Sequence, residues 1–121
     1  MNFLGILGKL SRAEEAIDKI TPKVSLDTFM ESVGDTVDKL INREKESGLR
    51  FLGGKTHFTL GEDAERVEMR VELFLARSQG DFVKKEARGS YSVSMLNQDA
   101  RESLMGTLQL EGEYVVEVEE P

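Results

Sequence analysis

Residues 66–92 read RVEMRVELFLARSQGDFVKKEARGSYS, and the period of their apolar positions decides the fold. Val67, Met69, Val71, Leu73 and Leu75 alternate with Arg66, Glu68, Arg70, Glu72 and Phe74, which is strand periodicity with one dry face and one wet face. Beyond the turn, Val83, Ala87, Tyr91, Val93 and Met95 share a parity, with Gly89 among them and Lys85 as the one charged exception. A three-residue loop of Ser78, Gln79 and Gly80, with glycine in the left-handed position, then pairs Leu75 with Val83, Val71 with Ala87 and Val67 with Tyr91. The same register sets Arg77 opposite Asp81. It also gathers Phe74, Ala76 and Phe82 on the nominally wet face beside the loop.

Upstream the period changes to that of a helix. Leu26, Met30, Val33, Val37 and Leu40 repeat at steps of 4, 3, 4 and 3, flanked by Phe29 and Ile41. Ser25 is a good N-cap, Asp27 suits the positive end of the helix dipole, and Ser47 with Gly48 makes a stop. Gly34 costs this helix roughly 1 kcal/mol relative to Ala, pointing to a close approach there or to simple tolerance. Residues 1–22 carry a second helical pattern, in which Phe3, Ile6, Leu10, Ala13, Ile17 and Ile20 form a heptad seam. Asn2 caps it and Pro22 ends it, while Leu4 and Leu7 widen the apolar arc over its first two turns.

Downstream, Leu49 to Leu60 reads as a strand with Phe51, Phe58 and Leu60, and Gly53–Gly54 marks a bulge or a tight turn. In the last segment Leu104, Leu108 and Leu110 share one parity with Tyr114, Val116 and Val118. A loop of Glu111, Gly112 and Glu113 pairs Leu110 with Tyr114 and Leu108 with Val116, which predicts a final hairpin. Asp99 and Glu102 have capping-box spacing, so a short helix over 100–108 is the alternative to that strand.

The resulting fold class is α+β: two N-terminal helices packed on one face of a roughly five-stranded antiparallel meander sheet. Five strands at about 4.8 Å span roughly 24 Å, whereas one helix covers about 10 Å. The helix over 25–48 therefore needs a neighbour, and the Leu10–Ile20 half of the first helix supplies it. Residues 1–22 are expected to act as a lid or docking arm, with Phe3 to Leu7 overhanging. Residues 25–121 form the helix-and-sheet body of the same single domain.

Composition limits the chemistry. The chain has 121 residues, no cysteine, one histidine and a formal charge of −7. Absence of cysteine removes disulfides and thiolate sites and points to a reducing, cytoplasmic setting. The acidic balance opposes nucleic acid as a partner, since phosphate affinity comes from clustered Lys and Arg. Residues 111–121 carry five Glu and no base, whereas residues 1–12 carry Lys9 and Arg12 and no acid, so the two ends attract. Glycines interrupt the opening apolar run, which is also too short to span a bilayer and lacks the flanks of a secretory signal.

Gly54-Lys55-Thr56 resembles the tail of a phosphate loop, but Leu49 stands where the motif needs its first glycine, and the context is helix to strand. His57 falls on the wet face with no acid or nucleophile assigned to it. Glu68 and Glu72 read as a solvated ladder with Arg66 and Arg70, and Glu117, Glu119 and Glu120 as an acidic tail. Ser90, Ser92 and Ser94 form a surface hydroxyl row. Lys85 is expected to snorkel from the dry face near a sheet edge. No cofactor or metal is expected. The leading expectation is a non-enzymatic interaction or assembly domain that self-associates through Phe3, Leu4, Ile6, Leu7 and Leu10 and through the outer pair Phe74 and Phe82. The alternative is a small apolar ligand or lipid held in a pocket lined by Met69, Leu73, Tyr91 and Met95. Peripheral membrane attachment by the N-terminal helix ranks third.

Overall fold

Ser25 starts the first described helix as its spacing predicts: its hydroxyl accepts from the Thr28 amide at 3.1 Å, and α1 runs Leu26–Glu46. The computed structural model describes residues 23–121, so the helix expected over 1–22, with Phe3, Leu4, Ile6, Leu7 and Leu10, lies outside the described residues. The buried side of α1 is Phe29, Val33, Thr36, Val37 and Ile41, with Leu26, Met30 and Leu40 only half-buried. The dry stripe is therefore rotated toward the flanking Phe29 and Ile41. Thr36 tolerates burial because its hydroxyl donates to the Ser32 carbonyl at 3.0 Å.

Three long strands follow: β1 (Arg50–Leu60), β2 (Arg66–Ala76) and β3 (Phe82–Ser92). The β2–β3 register pairs Leu75 with Val83, Val71 with Ala87 and Val67 with Tyr91, as parity requires. Gly80 takes φ +93° in the turn, whose mouth is closed by the Arg77 amide donating to the Asp81 carbonyl at 2.9 Å. In β1 the pairing with β2 slips between Phe51 and Gly53, so the glycine pair marks a bulge. Gly54 is required by a close approach: a Cβ there would lie 2.6 Å from the Glu72 carbonyl oxygen.

The sequence expectation fails after Ser92. The strand stops there instead of continuing through Val93 and Met95, because the Ser92 side chain accepts from the Ser94 amide and opens a 3₁₀ turn, Val93–Met95. The segment expected as a strand over 100–108 lies within a helix, α2 (Gln98–Glu111). Asn97 caps it, accepting from the Ala100 amide at 2.8 Å, and Asp99 adds negative charge in the first turn. Ala100, Leu104 and Leu108 are its buried stripe, while Leu110 is 89% exposed. Gly112 ends the helix in the left-handed conformation at φ +82°, and its amide donates to the Leu108 carbonyl at 2.9 Å.

The last strand, β4 (Tyr114–Val118), consequently pairs with β1 and not with residues 104–110: Tyr114 faces Phe58 and Val118 faces Gly54. The described fold is α+β with a four-stranded antiparallel sheet in the order β3-β2-β1-β4. The five-stranded meander is corrected to four strands. The two described helices are not both N-terminal, since α2 carries the chain from the β3 edge of the sheet to the β4 edge.

The core forms between the helices and the face made by Thr56, Phe58, Val67, Met69, Val71, Leu73, Leu75 and Tyr91. Phe29 is at its centre, 4.4 Å from the Tyr91 ring and 6.2 Å from the Phe58 ring by centroids. Fully burying a side chain of this size is worth about 1.5–3 kcal/mol, so these rings anchor α1 to the sheet. Two backbone hydrogen bonds, Val24 to Met95 at 3.0 Å and Asn97 to Val24 at 2.7 Å, staple the start of α1 beside the start of α2. Among the described residues no helix is long and apolar enough to cross a membrane.

Candidate interaction site

The outer face of the sheet ends, beside the β2–β3 turn, in an apolar corner. Phe82 stands opposite Ala76 and Phe74 opposite Lys84, so both rings emerge on the same face, as the sequence register implies. Phe82 is 81% exposed and Phe74 39%, while Ala76 between them is buried. Leu52, in the bulge of β1 beside Gly53, is 45% exposed and extends this corner, because Gly53 is the cross-strand neighbour of Phe74. Sequence reasoning missed Leu52, since the bulge removes it from the alternation.

The expected ligand pocket is not where parity placed it. Met69, Leu73 and Tyr91 belong to the packed core, and Met95 is half-buried against it in the 3₁₀ turn. Tyr91 is fully buried, and that desolvation pushes its ionisation far up; its hydroxyl has no hydrogen-bond partner among the described residues. An open groove lies instead between α1 and β4, with a volume of about 460 Å³. Met30, Val33, Gly34 and Val37 form one wall, and Phe58, Tyr114, Val116 and Val118 form the floor and far wall. Asp38 and the tail Glu117, Glu119 and Glu120 give it an acidic rim.

His57 and Glu72 are also corrected. His57 is not a lone solvated imidazole: its Nε2 lies 2.5 Å from Glu72 Oε1, and both side chains are nearly buried. Glu72 is not a rung in a solvated ladder. Lys84 reaches it at 3.1 Å and Arg70 at 2.7 Å. The Lys84 ammonium above all, with His57 and Arg70, holds the Glu72 carboxyl down to about 2 against the upward pull of burial. His57 Nδ1 faces Glu113, in the α2–β4 connection, at 3.5 Å. A carboxylate ionised this firmly is a poor proton carrier at neutral pH, so the cluster links β1, β2, β3 and the α2–β4 connection electrostatically. Among the described residues no group of His, Asp and Glu converges as a metal site. Lys85, on the dry face, snorkels as expected, half-exposed and 3.5 Å from Glu44.

Compared with protein-family models, with curated proteins and with solved structures, the chain matches none of them, so its site is read from its own geometry.

Proposed function

We propose that this chain is a non-enzymatic protein-interaction domain that assembles with copies of itself. One observation carries the reading: the corner formed by Leu52, Phe74 and Phe82 leaves aromatic surface in water that nothing in the sheet requires to be there. Removing such surface from water is worth roughly 25 cal/mol per Å², and a patch facing its own copy across a two-fold axis buries it twice. Phe3, Leu4, Ile6, Leu7 and Leu10 add apolar side chains to the same role. The charge of −7 favours a protein partner over nucleic acid, and the lack of cysteine suits a reducing cytoplasm. Sedimentation equilibrium tests the proposal: the chain is expected to be a dimer or larger, and Phe74→Ser with Phe82→Ser to shift it toward monomer. A chain monomeric at every concentration, and indifferent to both substitutions, overturns it.

A second reading, a small apolar ligand, is favoured by the groove, whose volume of about 460 Å³ lies within the ordinary ligand-pocket range of about 300–1,000 Å³. Its test is a thermal shift with a medium-chain fatty acid, expected to vanish in Val116→Asp.

A further inference from the structure

We infer that His57 is a proton-operated latch on the α2–β4 connection: its imidazolium holds Glu72 and Glu113 together, and the neutral ring keeps Glu72 and lets Glu113 go. The inference is independent of self-association, because it concerns the middle of the outer face and not the apolar corner.

The ring lies between two carboxylates from different parts of the chain. Nε2 is 2.5 Å from Glu72 Oε1 on β2, and Nδ1 is 3.5 Å from Glu113 Oε2, between Gly112 and the start of β4. A neutral imidazole has one N–H donor and one lone pair, whereas the imidazolium has two donors. One proton therefore decides how many carboxylates the ring can hold. In the neutral ring the N–H belongs on Nε2, against the closer and more deeply buried partner, since the Glu72 side chain is 12% exposed and that of Glu113 53%. Nδ1 then turns a lone pair toward Glu113, acceptor against acceptor. Protonation of Nδ1 from solvent replaces that repulsion with an ion pair. Nδ1 is buried and has no hydrogen-bond partner among the described residues, so Glu113 is the group placed to respond to its proton.

The surrounding charges keep the change on the ring. From β2, Arg70 stands opposite His57 in the register and reaches Glu72 at 2.7 Å. From β3, Lys84 reaches Glu72 at 3.1 Å, and Glu86 reaches Arg70 at 3.4 Å. On β4 the residue opposite His57 is Val115, with Glu117 further along paired to Lys55 of β1, while α1 and α2 pack on the other face. Lys84 above all, with His57 and Arg70, holds the Glu72 carboxyl down to about 2. Glu72 thus stays ionised across about pH 5 to 8, where an imidazole ordinarily changes its charge. What the latch controls follows from its place in the chain. Glu113 immediately precedes Tyr114, whose ring is 6.1 Å from Phe58 and lines the groove. β4 is the shortest of the described strands and pairs with β1 over five residues. Releasing Glu113 loosens the start of β4 and the Tyr114 wall of the groove, and leaves the β2–β3 pairing in place.

His57 is the chain's one histidine, so its ring resonances in NMR are read without overlap. The full-length chain is followed across about pH 5 to 8, by the ring signals and by amide hydrogen exchange corrected for its intrinsic pH dependence. Protection of the Tyr114 to Val116 amides is expected to fall about threefold or more as pH rises, with the same midpoint as the His57 ring, while the β2 amides keep theirs. In Glu113→Gln the ring still titrates but the fall in β4 is expected to disappear, because a neutral carboxamide can face either form of the ring. Glu113 is half-exposed, so this variant keeps the fold. A cluster that only ties strands together would leave β4 indifferent to the ring's proton. Constant protection through the titration, a fall shared equally by β2, a fall that persists in Glu113→Gln, or a ring that keeps one charge throughout overturns the inference.

Discussion

The β2–β3 hairpin and the segment from Asn97 to Val118 both place most of their apolar residues at positions of one parity, yet one is a strand pair and the other a helix followed by a strand. The difference lies in the gaps. In β2 every second position of the dry face is filled, by Val67, Met69, Val71, Leu73 and Leu75. In α2 the buried residues are Ala100, Leu104 and Leu108, four apart, and a strand would have set Glu102 and Gly106 on the same dry face. Residues four apart share a face in either conformation, so parity alone does not discriminate. The intervening positions do, and here they favour a helix, with Asn97 to begin it and Gly112 to end it.

The comparison breaks most visibly at the leucines. A strand over 104–110 would bury Leu104, Leu108 and Leu110 alike, whereas the helix buries the first two and leaves Leu110 in solvent. Leu104→Ala is expected to cost about 2–5 kcal/mol in urea unfolding, as truncation of a core leucine does. Leu110→Ala is expected to stay within about 0.5 kcal/mol. Comparable losses at both positions would restore the hairpin. The helix start gives a smaller effect: Asn97→Ala removes the cap on the Ala100 amide and is expected to cost about 1 kcal/mol, measured in the same way.

The site was legible to the same uneven degree. Phe74 and Phe82 follow from the hairpin register and appear where it puts them. The groove does not follow from any local pattern, because it depends on α2 crossing to the far side of β1, a tertiary choice. The partnership of His57 with Glu72 was hidden for another reason. Wet-face parity was right for both residues, but their contact requires the β1–β2 register, and in the connection over 61–65 the residue at positive φ is Ala64 and not a glycine, so the sequence does not mark the turn that sets it. Acid titration sharpens this point. An unfolded chain protonates Glu72 near 4.5, while the folded protein keeps it ionised down to about 2. Between those values the unfolded state binds more protons, so the contribution is complete above about pH 4.5 and is lost as pH falls toward 2. Stability followed by denaturant midpoint is therefore expected to fall less steeply across that window in Glu72→Gln than in the unaltered chain. Parallel slopes would return Glu72 to the solvated ladder.

The smallest effect is expected where the sequence looked most explicit. Arg77 and Asp81 face each other across the turn as predicted, but their charged groups are 3.9 Å apart and more than half exposed. Such a pair is worth about 0–1 kcal/mol, because water and salt screen it and two long side chains must be ordered to make it. The register of the hairpin instead rests on the inner face: a one-residue slip would turn Val67, Met69, Val71, Leu73 and Leu75 into water. Arg77→Ala is accordingly expected to change stability by less than about 0.5 kcal/mol and to leave the cross-strand Leu75–Val83 and Val71–Ala87 contacts intact in side-chain NMR. Loss of those contacts would mean that the turn, and not the dry face, sets the pairing, and parity would then have found the correct register for the wrong reason.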